Sequence, residues 1–197
     1  MFNDVFSLYH SYYRKIFSVL YPAKNSTGFT ERNLSVNFSK AYELLNPDSV
    51  SWFEFQFGER NNLHYDCIVV NAEKKEILII ESKRFSNPSS KVEEIKNDIT
   101  RINLSRGIYS EEFLTRISNF PDYKIYGIIL ADVWTETKEK RRILQSFKDS
   151  KFLEYAGILP DNGLTSAEYF SMSFSDITLY PWINNNYYLL AITWEVI

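Results

Sequence analysis

The sequence predicts an α/β fold in which a mixed central sheet is flanked by helices. Three observations point there. Residues 31–45 repeat apolar side chains at helical spacing, residues 51–85 hold three successive strand-like segments, and residues 88–134 add a second helical stripe and then a continuous apolar run. The order is helix, three strands, helix, strand. A helix over 2–20 precedes this core of about 30–134, and a β-rich extension over 150–197 follows it, all within one domain spanning 1–197.

Each element has a local reason. Phe2, Val5, Phe6, Tyr9, Tyr12, Tyr13, Ile16 and Phe17 recur close to helical spacing, and Pro22, Asn25 and Gly28 then interrupt the pattern. From Glu31 to Leu45 the stripe is Leu34, Phe38, Ala41, Tyr42 and Leu45, with Pro47 as the stop. Ser51 to Phe57 alternates Trp52, Glu54 and Gln56 against Phe53, Phe55 and Phe57, which predicts a strand. A turn over Gly58–Asn62 leads into a hairpin of 63–71 and 76–85. Asn87-Pro88-Ser89-Ser90 offers an N-cap for a helix that buries Val92, Ile95, Ile99 and Ile102. The run from Tyr123 to Trp134 fits a strand covered on both faces, and its helical crossover predicts a parallel neighbour. A helix over about 136–149 and strands near 172–180 and 187–196, joined around Pro181 and Asn184 to Asn186, complete the reading. The aromatics Trp52, Phe53, Phe55, Tyr123, Tyr126, Trp134, Tyr187 and Tyr188 are expected mainly in the core.

Composition narrows the function classes. With 197 residues the chain can bury one good core. Its single cysteine, Cys67, rules out an internal disulfide framework or a cysteine-based metal site, and the two histidines, His10 and His64, are too few for a histidine-rich centre. No run approaches a membrane span and the N-terminus lacks a signal-peptide pattern, so a soluble cytoplasmic protein with no membrane partner is the expectation. The net charge of −3 argues against indiscriminate nucleic-acid binding. Basic residues are nevertheless grouped at Lys138, Lys140, Arg141 and Arg142 and, after the hairpin, at Lys83, Arg84, Lys91, Lys96, Arg101 and Arg106. Glu93, Glu94 and Asp98 balance the second group, which fits a solvated face.

The hairpin carries the chemistry. Its strands hold Asp66, Glu81 and Lys83 where a purely structural hairpin would favour uncharged side chains. Alternation places Glu81 and Lys83 on one face, with Ser82 and Arg84 on the other. A turn centred on Glu73 and Lys74 puts Asp66 opposite Glu81, where like charges repel unless a cation lies between them. Carboxylate oxygens suit Mg²⁺ or Mn²⁺. Taken singly, each residue also has a structural reading: a same-face Glu81–Lys83 pair, an Asp66 bonded to a turn, a Glu54 or His64 facing solvent, a packed Cys67.

Asp66, fourteen residues, then Glu81-Ser82-Lys83, set in the order α-β-β-β-α-β, resembles the PD-(D/E)XK nuclease superfamily over about 30–134, roughly half the chain. Tyr65 stands where the name-giving pattern has proline. The resemblance implies a restriction endonuclease-like core and metal-dependent hydrolysis of nucleic acid, DNA before RNA. It also implies that Asp66 and Glu81 ligate Mg²⁺ or Mn²⁺, that Lys83 orients or deprotonates the attacking water, and that a glutamate of the first core helix joins them. Glu31 is the candidate for that glutamate, on the stripe that packs on the sheet; a first-turn glutamate is also favoured by the helix dipole alone, by about 0.3–1 kcal/mol. The alternatives are a catalytically silent nucleic-acid-binding or assembly module on the same fold, and an unrelated α/β protein whose charges are structural. A homodimer would suit an enzyme that cuts both strands.

Overall fold

The computed structural model describes residues 2–19, 30–57, 63–158, 164, 166–178 and 180–197. The breaks expected at Pro22, Asn25 and Gly28 and the turn at 58–62 lie outside the described residues. Helix α1 (Asn3–Val19) comes first. Thr30 then takes an extended backbone and its side chain accepts from Asn33 N–H, which caps α2 (Glu31–Leu45). Three antiparallel strands follow, β1 (Ser49–Phe57), β2 (Leu63–Asn71) and β3 (Glu76–Arg84). Asn87 caps α3 (Pro88–Asn103), with Pro88 at the first turn where its missing N–H costs nothing. This helix carries the chain back to β4 (Lys124–Trp134), which pairs parallel to β3 as the crossover predicts, Glu76 opposite Lys124 and Arg84 opposite Asp132.

The remaining elements are α4 (Ser110–Leu114) ahead of β4, then α5 (Lys138–Lys148), α6 (Phe152–Tyr155), β5 (Glu168–Ser173), α7 (Pro181–Asn186) and β6 (Tyr187–Val196). Six strands form one mixed sheet in the order β1-β2-β3-β4-β6-β5. The strand expected near 172–180 ends at Ser173: Phe174 turns into the core, and a helix, α7, occupies the connection at Pro181–Asn186. Among the described residues no helix is long and apolar enough to cross a membrane.

Each sheet face has its own core. Along β4, Ile125, Ile129, Ala131 and Val133 join α3, α4, α5 and α6 on one face, while Tyr126, Ile128, Leu130 and Trp134 join α1 and α2 on the other. That explains why the run reads as continuously apolar rather than alternating. The α1/α2 face is largely aromatic: Phe6 stacks on Phe170 with ring centroids 4.0 Å apart, and Phe17 meets Tyr187 edge-on at 5.5 Å. Trp52, expected in the core, is instead 68 % exposed on the edge strand β1.

The regular alternation of β1 and β2 fails at one level. Phe53 and Cys67 face the α1/α2 core, yet Phe55 and Tyr65, two residues away on the same strands, face the α3 core. Between them lie Glu54 and Asp66, which oppose each other without forming a ladder pair. Glu54 has a left-handed backbone, φ 53°, a conformation that costs a non-glycine residue about 1–2 kcal/mol. A sequence pattern of strict period two cannot show such a reversal.

Gly127 on β4 sits directly opposite Trp194, whose indole N–H donates to Asn103 Oδ1 at 2.7 Å. A Cβ at Gly127 would overlap the Trp194 ring, which is 2 % exposed and has no room to retreat. Gly127→Ala should therefore destabilise the fold by about 1–3 kcal/mol in chemical denaturation, and cost less in a Trp194→Leu background. Equal costs in both backgrounds would contradict this account.

Candidate active site

The β2–β3 ladder keeps the predicted register from Asn71 opposite Glu76 to Cys67 opposite Ile80, and stops there. Asp66 is the next residue. Its carboxylate, rather than its backbone, bridges to the neighbouring strand, with Oδ2 accepting from Ser82 N–H at 2.7 Å. Asp66 and Glu81 are thus brought together, but by strands that part at this level rather than by a regular pair. Ser82 points to the opposite face as alternation requires, where its hydroxyl meets Ser35 of α2 at 2.6 Å. Cys67 packs on that face too, 3.3 Å from the Ser39 hydroxyl. Glu54 and His64 stay exposed and pair with each other at 3.3 Å.

Glu81 and Lys83 share the α3 face and are closed into a ring by two residues of that helix. Arg101 Nη2 binds Glu81 Oε1 and lies 2.8 Å from Asp98 Oδ1. Asp98 Oδ2 is 2.7 Å from Lys83 Nζ, and Lys83 returns to Glu81 Oε2 at 3.5 Å. Asp98, read from sequence as part of a solvated face, is buried. The signal was present: Asp98 falls three residues after Ile95 and four before Ile102, within the apolar stripe of α3. An acid on a buried stripe needs a cation beside it, and Asp98 has two, the buried Lys83 and the half-buried Arg101.

Glu31 occupies the first turn of α2 at the carboxyl end of β3. Its Oε1 accepts from Arg84 N–H at 2.9 Å and meets Lys91 Nζ at 3.1 Å. No contact joins it directly to Asp66 or Glu81, but its charge reaches Asp66. Among the described residues, no three Asp, Glu, His or Cys side chains converge closely enough to hold a metal ion as they stand. The donors themselves are hard carboxylate oxygens, the type Mg²⁺ and Mn²⁺ prefer.

Electrostatics mark the same cluster. Burial, then the charges of Asp98 and Asp66, push Glu81 well above the usual carboxylate range despite Lys83 and Arg101. Burial also raises Asp66; the Ser82 N–H and Lys83 oppose the rise, while Glu31 and Asp98 add to it. For Lys83 burial acts downward, but Asp98 and Glu81 outweigh it and hold the ammonium above its ordinary value. Carboxylates that repel one another in a desolvated setting are a frequent mark of functional sites.

A second buried acid lies close by on the α1/α2 face. Asp132, opposite Arg84 in the sheet, accepts from Tyr187 Oη at 3.0 Å. Burial pushes its carboxyl up to about 7, with Arg84 and the Tyr187 hydroxyl pulling down against it. Asp132 interrupts an apolar run by a single residue, so the sequence pattern gives no sign of its role.

Compared with protein-family models, with curated proteins and with solved structures, the chain finds no match in any of the three.

The Asp132 shift has a stability consequence. Its folded pKa, about 7, lies above the unfolded value near 4, so the native state holds the proton more tightly. This group favours folding most at low pH and loses that contribution as pH rises through about 4–7, at up to about 1.4 kcal/mol per pH unit. Asp132→Asn should flatten the dependence of unfolding free energy on pH over that window. A variant with the wild-type slope would show that Asp132 does not titrate there.

Proposed function

We propose that the protein is a metal-dependent nuclease that hydrolyses phosphodiester bonds of nucleic acid, DNA before RNA, on a restriction endonuclease-like core. One observation carries the reading. Asp66, Glu81 and Lys83 are gathered where β2 and β3 part, with Glu81 and Lys83 buried, Asp66 half-buried and the charges of all three acting on one another. The order α2-β1-β2-β3-α3-β4 with β3 and β4 parallel is consistent with the αβββαβ core. A bundle of structural ion pairs would gain little from such burial, since desolvation offsets most of the attraction.

In this reading Asp66 and Glu81 hold Mg²⁺ or Mn²⁺, with Glu31 contributing from the rim. When bound, the cation supplies an activated water and positive charge toward the non-bridging phosphate oxygens. Lys83, fixed by Asp98, would orient an attacking water and face the charge that develops on the phosphate. Arg84 and Lys91 lie at the carboxyl end of β3, and α3 and α5 begin at the ends of β3 and β4. Positive helix N-termini and basic side chains at one end of the sheet suit a polyanionic backbone.

Cleavage of single-stranded, double-stranded and branched DNA and of RNA, each with Mg²⁺ or Mn²⁺, tests the proposal. Asp66→Ala, Glu81→Ala and Lys83→Ala are each expected to lower the rate by about 10²–10⁴-fold. Mn²⁺ at ten times its dissociation constant should stabilise the wild type by about 1.4 kcal/mol in thermal unfolding and leave Asp66→Ala unmoved. A silent nucleic-acid-binding module is the second reading, favoured by the fact that both Glu81 oxygens already face cations. Binding without cleavage of any substrate would select it.

A further inference from the structure

Glu81 is the most enclosed carboxylate of the site, and neither of its oxygens is open. Oε1 is taken by Arg101 and Oε2 faces Lys83 at 3.5 Å. Asp66 differs: Oδ2 is held by Ser82 N–H, while no donor among the described residues reaches Oδ1. Of the two carboxylates that would hold a metal ion, Asp66 thus has an oxygen without a donor and Glu81 has none. One of the two cations at Glu81 has to leave before the site can load.

The geometry says which one. Lys83 stands two residues from Glu81 on the same strand, its side chain is 11 % exposed, and Asp98 fixes it at 2.7 Å. Arg101 reaches in from α3, its side chain is 25 % exposed, and it keeps Asp98 at 2.8 Å as an alternative partner. Its guanidinium also lies 5.4 Å from the centroid of the Tyr65 ring, an aromatic face on which a displaced arginine can rest. Moving the more exposed, longer side chain costs less desolvation and leaves Lys83 where hydrolysis would need it. Charge points the same way. Counted as ionised, Asp66, Glu81, Asp98, Lys83 and Arg101 carry one negative charge in excess, and they become neutral if a dication replaces Arg101.

We infer that Arg101 is a built-in competitor for the metal: its guanidinium holds the Glu81 oxygen that a divalent cation takes, and loading the site requires Arg101 to withdraw. The inference rests on the nuclease reading, because it presumes that Asp66 and Glu81 ligate a cation. It extends that reading by giving α3 a gating role. Arg101 keeps the buried acids compensated while no metal is bound and sets how much metal the protein needs.

The test is calorimetric titration of the full chain, freed of metal, with Mn²⁺ at fixed pH. Arg101→Gln keeps a hydrogen-bond donor for Asp98 and removes the charge; it should bind Mn²⁺ at least about tenfold more tightly than wild type. Arg101→Lys keeps a cation and should stay within about threefold of wild type. If Arg101→Gln does not unfold cooperatively, Arg101→Met replaces it, with the same expectation. Wild type that binds Mn²⁺ while the neutral variants bind no more tightly overturns the inference and leaves the nuclease reading standing. So does Arg101→Lys binding as tightly as Arg101→Gln, because charge would then not be what competes. Failure of both wild type and the neutral variants to bind Mn²⁺ overturns the inference and the nuclease reading together.

Discussion

The hydrogen bond from Ser82 N–H to the Asp66 carboxylate is the contact on which the site's geometry depends. A regular antiparallel pair would place Asp66 against Glu81 and spend the strand's polar groups on backbone partners. Here the ladder ends one residue earlier, and a side-chain oxygen satisfies the amide that the opening leaves over. The same level of the sheet carries the left-handed Glu54 on β1 and the reversal of faces on β1 and β2. Strain and an interrupted ladder thus coincide at one carboxylate. Where the strands part, the hairpin interior holds a cluster of charge instead of a regular ladder.

Helix α3 makes that cluster of charge tolerable. Burying an ionised side chain costs several kcal/mol unless geometry and partners compensate. Asp98 and Arg101 supply those partners as an alternating ring with Glu81 and Lys83, so that each charge meets opposite charges on both sides. Removing one member leaves another uncompensated, which makes the four groups a single unit rather than separate ion pairs. The compensation is incomplete, since Glu81 and Asp66 both remain raised.

The two cores fix the frame around this unit. Strand β4, buried on both faces, ties β3 to β6 along its length, and the close seat of Trp194 over Gly127 joins it to the end of α3. On the other face α2 approaches the sheet through small polar side chains, Ser35 on Ser82 and Ser39 on Cys67, which lets the helix lie close. Its first turn then reaches the end of β3, where Glu31 accepts from Arg84 N–H. Glu31 is therefore set by the helix start and the strand end together, beside the carboxylates and not among them.

The sequence alone specified the α/β class, the order of the core elements α2-β1-β2-β3-α3-β4, the hairpin register up to Cys67 and the parallel pairing of β3 with β4. These follow from period and turn chemistry, which are properties of neighbouring residues. It also marked Asp66, Glu81 and Lys83, because charge on a buried strand is visible without knowing what lies opposite. How those charges are met is settled by packing between elements distant in the chain. Asp98 and Arg101 lie seventeen and twenty residues from Glu81 in the chain, and they become its neighbours only when α3 packs across β3. The end of β5 at Ser173, the exposure of Trp52 and the flip at Glu54 were hidden for the same reason. Each depends on what covers a face, and a strand's pattern shows that it has a buried side without showing where the cover stops.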